Sequence, residues 1–430
     1  MNRSVLVAGW LATALVAGAA EAPLTEHGRR LSEALLREAD SPGKPAWKPM
    51  LRYLARLHGR AIQPPVAHLP YPYESIGPGY QGGTAFGHID LTHQRLDAVR
   101  AAPWHVRNQT LNELAGQQGN GMLPGAIQFS REGGAYWKDF KSFPPLWVVA
   151  ADACYERTGD REFLTTCRSA LQRQITWFEK TRSVPGGGFH YLDATTGPWE
   201  SGMDEGVRYD RRPGKPAAAV DACSQVYQLY DFAGRWSRKL KISGKHWDTK
   251  ADALRSFIQT RLWSEQTGWF HDRWSIDSPD LKVRAFEGIW PVIVGAATKR
   301  QANRAIDEHL LNPREFFTRH PIATVSVADP KFELRMWRGP AWNCMTYWAA
   351  RGCWRYQRPE AAQKLLAAAL DITAAQFART GTIWEFYHPH SGDQTSLFRK
   401  RKGRRIPCVD YLGHNPLFAM VDLWRECAAE

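Results

Sequence analysis

The sequence has 430 residues, of which 43% are hydrophobic and 23% charged, a composition that excludes an intrinsically disordered chain. Its formal net charge of +13 is compatible with an anionic partner, but part of the excess is concentrated in the run 399–405. Such a run is typical of a solvated loop, with contact to anionic glycans or a membrane surface as the alternative. We therefore expect no nucleic-acid partner.

The N-terminal segment has the pattern of a secretory signal. Arg3 precedes an apolar run from Val5 to Val16, and small residues follow up to Ala22. The run is shorter than the roughly 20 apolar residues that a membrane span requires. We therefore predict a signal peptide over 1–22, export to the periplasm or the medium, and one catalytic domain over 23–430 without a membrane span. An uncleaved N-terminal anchor is the alternative.

Apolar residues recur at helical spacing along most of the remaining chain, and strand-like alternation is scarce. About a dozen helices without βαβ units predict an all-α fold, for which an (α/α)6 toroid is the natural closed arrangement. A Pro-rich loop is expected over 63–78. The predicted helices lie near 31–36, 50–57, 86–100, 105–117, 144–157, 160–180, 217–240, 246–263, 284–297, 299–311, 339–355, 358–378 and 409–425.

The chemistry of such a toroid is expected on the loops at one end, because rigid helices can hold loops that vary freely. Four connections are the longest and the richest in aromatic residues and glycine: 118–143, 183–216, 312–338 and 380–408. We therefore expect the site residues in these loops. The seven cysteines form no CxxC pair and have no zinc-like spacing, so structural zinc is not expected and buried thiols fit best.

The loop 183–216 contains a cluster of carboxylates beside aromatic residues. Glu200, Asp204, Glu205 and Asp210 lie within eleven residues. Glycosidic cleavage needs one carboxylic acid to protonate the leaving oxygen and a second carboxylate to activate water or to attack carbon. Apolar neighbours keep a carboxyl proton available near neutral pH. The composition does not choose among the four residues, and an acidic surface loop would have the same pattern.

Two further constellations contain single charged residues among aromatic rings. Glu385 is flanked by Trp384, Phe386 and Tyr387, and such a carboxylate usually borders a wet cleft or meets a donor, here a nearby arginine. Arg338 stands between two indoles, followed by Pro340 and Asn343, before a predicted helix. This arginine can pair with a carboxylate or hold sugar hydroxyls, and packing explains it nearly as well.

Together these motifs resemble the trehalase and glycoside hydrolase family 63 group, including its mannosylglycerate and glucosylglycerate hydrolase-like members. Each motif is weak alone, but their order and spacing extend over about 270 residues. The matching segments, in chain order, are 116–124, 144–147, 199–204, 220–221, 337–343 and 384–387.

The resemblance implies an (α/α)6 fold and an anomer-inverting hydrolase of a small α-glucoside or glucosyl conjugate. It implies Asp204 as general acid and Glu385 as general base, with the two carboxyl groups roughly 6.5–9.5 Å apart. Neither a metal nor an organic cofactor is expected. The residues that it places around the sugar are Gln117, Trp199, Glu200, Asp221, Trp337, Arg338, Trp342, Phe86 and Tyr387.

Two departures from the family pattern bear on specificity. Gly82-Gly83 stand where relatives often carry a Trp-Asp pair that contacts the non-reducing sugar, so glucose and mannose both stay open. Glu205 stands where relatives often have Asn, which adds a negative charge beside the proposed acid. As a hypothesis, the run 399–405 could fold over the cleft and favour an anionic aglycone.

Two other classes of function stay open. A toroidal polysaccharide lyase would use a Tyr-His pair with arginine, for which Tyr387, His388 and the basic run are candidates. A non-catalytic carbohydrate-binding protein of the same fold is favoured by the altered Gly82-Gly83 element. The retention of both carboxylates argues against the latter.

Overall fold

The computed structural model describes residues 23–41, 43–80, 85–129, 135–197, 199–399 and 406–429. The predicted signal peptide, Gly82-Gly83 and all of the basic run after Arg399 up to residue 405 lie outside these ranges. Within them, no helix combines the length and apolar character that a membrane crossing needs.

Thirteen α-helices account for nearly half of the described chain. Their lengths and order follow the predicted pattern of helical hairpins. They are α1 (Glu26–Ala39), α2 (Lys48–Ala61), α3 (His88–Ala98), α4 (Pro103–Ala115), α5 (Trp147–Thr158), α6 (Arg161–Thr181), α7 (Val220–Lys239), α8 (Lys245–Arg261), α9 (Trp290–Val294), α10 (Lys299–Arg304), α11 (Asn343–Arg355), α12 (Pro359–Thr380) and α13 (Leu417–Ala429).

The helices form an inner and an outer ring. The inner ring runs α3, α5, α7, α9, α11, α13 and closes where α13 packs against α3. The contact between α5 and α7 includes the indole rings of Trp147 and Trp236, 5.9 Å apart. The outer helices α2, α4, α6, α8, α10 and α12 alternate with them, and α1 packs on α2. The predicted all-α (α/α)6 architecture is therefore confirmed.

The residue patterns explain which ring each helix joins. In α11 nearly every side chain from Asn343 to Cys353 is buried, which suits a helix that is surrounded by neighbours. In α6 only one stripe is buried, including Phe163, Cys167 and Leu171. The carboxylate of Asp160 caps that helix by accepting from the Phe163 amide at 2.9 Å.

Short strands lie at the end of the barrel where the inner helices begin. The three-stranded antiparallel sheet is β3 (Ala85–Gly87), β4 (Ala126–Phe129) and β5 (Ala135–Trp137), and β3 leads directly into α3. Strands of two to four residues are too short to show an alternating pattern of apolar and polar residues, so they could not be predicted from the sequence. The other strands form the pairs β1 (Ile62–Gln63) with β2 (Tyr73–Glu74) and β6 (Trp263–Ser264) with β7 (Trp269–Phe270).

Three predicted helices differ from the observed ones. The stretch 284–297 is a short 3-10 turn followed by α9, which ends at Gly295 with a left-handed φ of 82°. The stretch 299–311 is α10 continued by a π-helical turn over Ala305–Leu310. The predicted helix 409–425 begins only at Leu417, because the preceding residues form a loop that returns to the barrel axis.

All seven cysteines are buried in this fold, and the described ranges contain no disulfide. Burial raises the pKa of the Cys154 thiol to about 11, so this side chain behaves as a small apolar group. The expectation of buried thiols is therefore confirmed.

Candidate active site

A cavity of about 220 Å³ opens at the barrel end where the inner helices begin. Its wall comes from the first turn of α3 and from the connections that lead into α3, α5, α7, α11 and α13, as expected for a toroid whose loops carry the chemistry. The charged residues that line it are Asp90, Lys138, Lys141, Asp204, Glu385 and Arg399. The two predicted catalytic carboxylates therefore share one small cavity although 181 positions separate them.

The loop that carries Asp204 is anchored by buried polar contacts on both sides. Glu200 is fully buried and accepts from Arg182 at 2.8 Å on each oxygen. Asp193 accepts from the amide of Ser201 at 2.8 Å and from its hydroxyl at 3.0 Å, and burial raises the pKa of Asp193 to about 6. These contacts fix the backbone immediately before Asp204.

A lysine accompanies Asp204 on the cavity wall. The ammonium group of Lys141 donates to the carbonyl oxygen of Trp199 at 3.3 Å. Burial lowers the pKa of Lys141, and the neighbouring charge of Asp204 opposes that effect. Lys141 and Asp204 therefore interact electrostatically within the cavity.

Glu385 is held by a charged partner and by the backbone. Its side chain is 1% exposed, and both carboxylate oxygens accept from the Nε–H of Arg399, at 2.9 and 2.8 Å. The amide of Cys408 donates to Oε2 at 3.1 Å. Burial opposes the charge on Arg399, but the pairing with Glu385 outweighs it and raises the pKa of Arg399. The hydrogen bond to arginine considered for Glu385 is thus present, at the cavity wall.

Aromatic rings form a second side of the cavity. The indoles of Trp337 and Trp342 stack with centroids 3.5 Å apart and an interplanar angle of 9°. Trp337 lines the cavity, whereas Trp342 is fully buried behind it. Trp199 is 40% exposed and stands at the rim. Flat faces of this kind suit the C–H surface of a pyranose ring.

Three polar residues at the cavity were missed by the sequence analysis. The hydroxyl of Tyr411 donates to Asp90 Oδ1 at 2.9 Å, and His414 Nε2 lies 3.3 Å from the same oxygen. The rings of Tyr411 and His414 are parallel, with centroids 5.0 Å apart. Burial raises the pKa of Asp90 and lowers that of His414 to about 3. At neutral pH His414 is therefore an uncharged ring that packs beside Asp90, and the hydrogen bond to Asp90 comes from Tyr411.

No sequence pattern singled these residues out. Asp90 looks like an ordinary helical residue, and Tyr411 and His414 fall in a stretch predicted as helix. Only the position of the loop before Leu417 brings them to Asp90, more than 300 positions earlier in the chain.

A larger neighbouring cavity, about 600 Å³, shares Trp199 with the first. Its wall includes Arg338, which donates to both oxygens of Asp210, at 2.7 and 2.8 Å, and to Glu333. Glu205 lies there too and forms an ion pair with Arg335. The extra charge of Glu205 is therefore balanced by an arginine.

Several residues predicted to contact the sugar lie inside the protein instead. Asp221 accepts from Arg208 at 2.6 Å with both side chains buried, and Gln117 donates to the carbonyl oxygens of Gly121 and Ala170. Packing within the wall occupies these groups, so their positions favour support of the site over contact with a ligand. The fully or almost fully buried members of the predicted set are Glu200, Asp221, Trp342, Phe86 and Tyr387.

One group of side chains within the described ranges has the composition of a metal site. The ligand atoms of His93, Cys344 and His414 lie within 4.8 Å of one another and are buried. His93 Nδ1 contacts the Gly413 carbonyl at 2.6 Å, and its Nε2 accepts from Trp348 at 2.9 Å. These atoms already have protein partners, so packing accounts for the group.

Comparison with known proteins identifies the family. The family described as mannosylglycerate hydrolase MGH1-like glycoside hydrolase domain matches residues 90–243 and 235–405. The chain belongs to this family. The matched ranges contain Asp90, Asp204, Glu385 and Arg399, so the loops that surround the small cavity are family positions in this chain.

The curated relatives of this family member are distant. Mannosylglycerate hydrolase MGH1 of Selaginella moellendorffii is 21% identical over 318 residues, which cover 58% of this chain and 61% of that protein. Periplasmic trehalase of Escherichia coli strain K12/DH10B is 21% identical over 285 residues, covering 52% of this chain and 48% of that protein. The chain therefore spans less than two thirds of the length of these relatives.

Solved structures share the fold. The family 63 mannosylglycerate hydrolase of Thermus thermophilus, in complex with glucose, matches with a TM-score of 0.64 at 17% identity. The match covers 89% of this chain and 100% of that one. Neutral trehalase Nth1 of Saccharomyces cerevisiae matches with a TM-score of 0.60 at 14% identity, and the match covers 79% of this chain and 72% of that one. The six-hairpin fold predicted from the sequence is therefore confirmed independently.

Proposed function

We propose that this protein is an anomer-inverting glycoside hydrolase that cleaves a small α-linked glucoside or related glycoside. The observation that carries the proposal is the convergence of Asp204 and Glu385 on one cavity beside the indole of Trp337. Membership of a glycoside hydrolase family supports it. The Thermus thermophilus relative was solved with glucose and, separately, with D-glycerate, so a small glycosyl conjugate is a reasonable substrate class.

In the proposed mechanism, Asp204 acts as general acid and Glu385 as general base. Protonated Asp204 gives its proton to the glycosidic oxygen while the bond from that oxygen to the anomeric carbon breaks. Glu385 takes a proton from a water molecule, whose oxygen forms the new bond on the opposite face of the sugar. The anomeric configuration is inverted, and the leaving group departs as an alcohol.

Arg399 is proposed to position the base. A carboxylate that accepts from a guanidinium is favoured in its ionised form and has a fixed plane. The Nε–H of Arg399 lies between both oxygens of Glu385, and the Cys408 amide adds a third contact. A water-activating base benefits from this arrangement because its orientation is set before the substrate binds.

The two cavities suggest where the sugar ring and the leaving group of the substrate bind. The smaller one, about 220 Å³, has the size and aromatic wall for one sugar ring, with Asp90 as a hydroxyl acceptor. The larger one, about 600 Å³ and reached past Trp199, would take the leaving group. Its arginines Arg335 and Arg338 are paired with carboxylates, so both neutral and anionic leaving groups are candidates.

The alternative of a polysaccharide lyase fits the site less well. A lyase of this kind needs an accessible tyrosine, but Tyr387 is fully buried and its hydroxyl accepts from the Trp384 amide at 3.0 Å. Burial raises the pKa of Tyr387 well above its ordinary value. Such a group is poorly suited to abstract a proton from a substrate.

We further propose that the protein is exported. The N-terminal apolar segment with its flanking Arg3 has the pattern of a signal peptide. The Escherichia coli relatives named periplasmic trehalase are compatible with the same compartment.

The proposed function is tested by turnover on a panel of α- and β-linked glucosides and mannosides that includes trehalose and glucosylglycerate. We expect release of reducing sugar from at least one α-linked member. Binding without turnover would favour a carbohydrate-binding protein, and an unsaturated product that absorbs in the ultraviolet would identify a lyase.

A further inference from the structure

A third cavity, about 580 Å³, shares no lining residue with the two cavities of the candidate active site. It is lined by α5, α7 and α11, which begin at the active-site end. Its residues in α7 and α11 come from later turns, those in α5 come from the first two turns, and Arg355 is the last residue of α11. At about 1.5 Å per residue, the start and end of α11 are roughly 18 Å apart. The two cavities are therefore separate.

The wall of this third cavity has an excess of positive charge. Three arginines line it, Arg235, Arg351 and Arg355, together with two carboxylates, Asp152 and Asp231. Both carboxylates are already engaged. Asp152 accepts from Arg235 at 2.8 Å, from the indole of Trp236 and from the ammonium of Lys239, and Asp231 lies 3.8 Å from Arg235.

The other two arginines have no carboxylate partner within the described ranges. Arg351 donates to the hydroxyl of Tyr347 at 3.1 Å, and Arg355 forms neither a hydrogen bond nor an ion pair with the part of the chain that the structure describes. Burial lowers the pKa of Arg355, and the charge of Arg351 adds to that effect, while Asp231 opposes it. Neither of these two guanidinium groups at the cavity therefore has a direct carboxylate partner within the described ranges, although Arg351 lies over the rings of Tyr347 and Trp348.

The exposed side chain of Arg355 lies beside Gly295. A Cβ added to Gly295 would lie 3.0 Å from the Cδ atom and 3.1 Å from the Nη1 atom of Arg355. Gly295 also has a φ of 82°, so only a residue without a side chain fits well there. The guanidinium thus lies against the end of α9.

A neutral polar group in the same wall also lacks a partner. Gln228 is 4% exposed, and its side-chain carbonyl oxygen is buried without a hydrogen bond to any described residue. An unsatisfied buried acceptor is unfavourable, so it indicates a missing donor. Cations near the end of α11 are favoured by the helix dipole, but that effect does not explain Gln228.

We propose that this third cavity is a second, non-catalytic binding site for an anionic monosaccharide, such as a sugar phosphate or a sugar acid. Arg351 and Arg355 would bind the anionic group, and Gln228 would accept from a sugar hydroxyl. The indole of Trp354, which lines the cavity and is 39% exposed, offers a flat face for the ring. The proposal does not depend on the hydrolase activity.

The test is isothermal titration calorimetry with four probes: glucose 6-phosphate, glucuronate, glucose and inorganic phosphate. We expect both anionic sugars to bind more tightly than glucose or phosphate alone. The variant Arg351→Gln/Arg355→Gln, which retains side-chain length and polarity, should weaken their binding at least tenfold. The charge-matched control Arg29→Ala/Arg379→Ala, at two exposed positions, should leave it unchanged.

A second variant separates the sugar contacts from the charge. Trp354→Ala keeps both arginines, so we expect weaker binding of glucose 6-phosphate and unchanged binding of phosphate. Thermal unfolding of each variant establishes that it is folded. The proposal is overturned if anionic sugars do not bind, if they bind equally to the double-arginine variant, which would locate them in the catalytic cavity, or if phosphate binds as tightly as glucose 6-phosphate.

Discussion

The Nε–H of Arg399 donates to both carboxylate oxygens of Glu385, at 2.9 and 2.8 Å, on the wall of the cavity that also contains Asp204. Arg399 is the first residue of the basic run whose composition is typical of a solvated loop. At least this member of the run has a defined place beside the proposed base.

Replacement of Arg399 tests its positioning role. Arg399→Ala removes the group that fixes the plane of Glu385, and a base displaced by about 1 Å can cost ~100-fold in rate. We expect kcat to fall by about that factor with a smaller change in KM, and Arg399→Lys to recover part of the loss because it restores the charge without the planar donor. Steady-state kinetics measure both, with Arg379→Ala as the control. An unchanged kcat in Arg399→Ala would contradict the role.

The position of Asp90, held by Tyr411, predicts that replacing it weakens substrate binding. Asp90→Asn keeps the shape of the side chain but weakens its acceptance of a sugar hydroxyl, so kcat/KM should fall about 10- to 100-fold, mainly through KM. Tyr411→Phe should have a smaller effect of the same kind. Asp277→Asn, at an exposed position, is the control. If Asp90→Asn has wild-type KM on every cleaved substrate, Asp90 does not contact the sugar.

The burial of Glu200 against Arg182 predicts a stability defect. Glu200→Gln leaves the guanidinium of Arg182 without its charge partner in the interior, which costs about 3–5 kcal/mol in comparable buried pairs. Urea unfolding should show this loss, while KM of the folded variant stays near that of the wild type. Glu265→Gln breaks surface pairs with Arg300 and Arg304 and should change stability little. A large change in KM with normal stability would instead restore Glu200 to the substrate site.

A buried network outside the cavity lining predicts a pH dependence of stability. Glu74 interacts with His58 and with His105. Burial disfavours the charged form of His58 and by itself would lower its pKa. The negative charges of Glu74 and Asp97 outweigh this effect and raise the pKa of His58 to about 9. Burial also opposes the charge on Glu74, but the histidines lower its pKa to about 2.

The sign of the effect follows from linkage. The stabilisation from His58 is fully present below its unfolded pKa of about 6.5 and is lost as the pH rises through about 9. The stabilisation from Glu74 is present above about 4.5 and is lost as the pH falls through about 2. Urea unfolding between pH 6.5 and 9.5 should therefore show decreasing stability in the wild type and a flatter profile in Glu74→Gln. Parallel profiles would contradict this assignment.

The helices could be predicted because their signal is local: the 3.6-residue periodicity of α6 and α12 depends on neighbours within a few positions. The fold followed from this pattern. The choice of Asp204 and Glu385 came instead from the family resemblance, which depends on the order of motifs over about 270 residues, and it stays a prediction.

The rest of the site could not be predicted because it depends on contacts between distant segments. Asp90 meets Tyr411 only after the ring of helices closes, and Arg338 turns to Asp210 in the neighbouring cavity. Glu200 and Asp221 belong to motifs of the family, and the sequence did not reveal that each forms a buried ion pair with an arginine.

The most direct test of the central claim is the stereochemistry of the first product. Proton NMR would follow hydrolysis of the panel member that turns over fastest, with Asp204→Asn and Glu385→Gln as matched variants that keep side-chain size. We predict that the sugar first appears with the opposite anomeric configuration to the substrate and that both variants lose at least ~100-fold in rate. A first product of retained configuration, or near-normal rates in either variant, would contradict an inverting mechanism built on these two carboxylates.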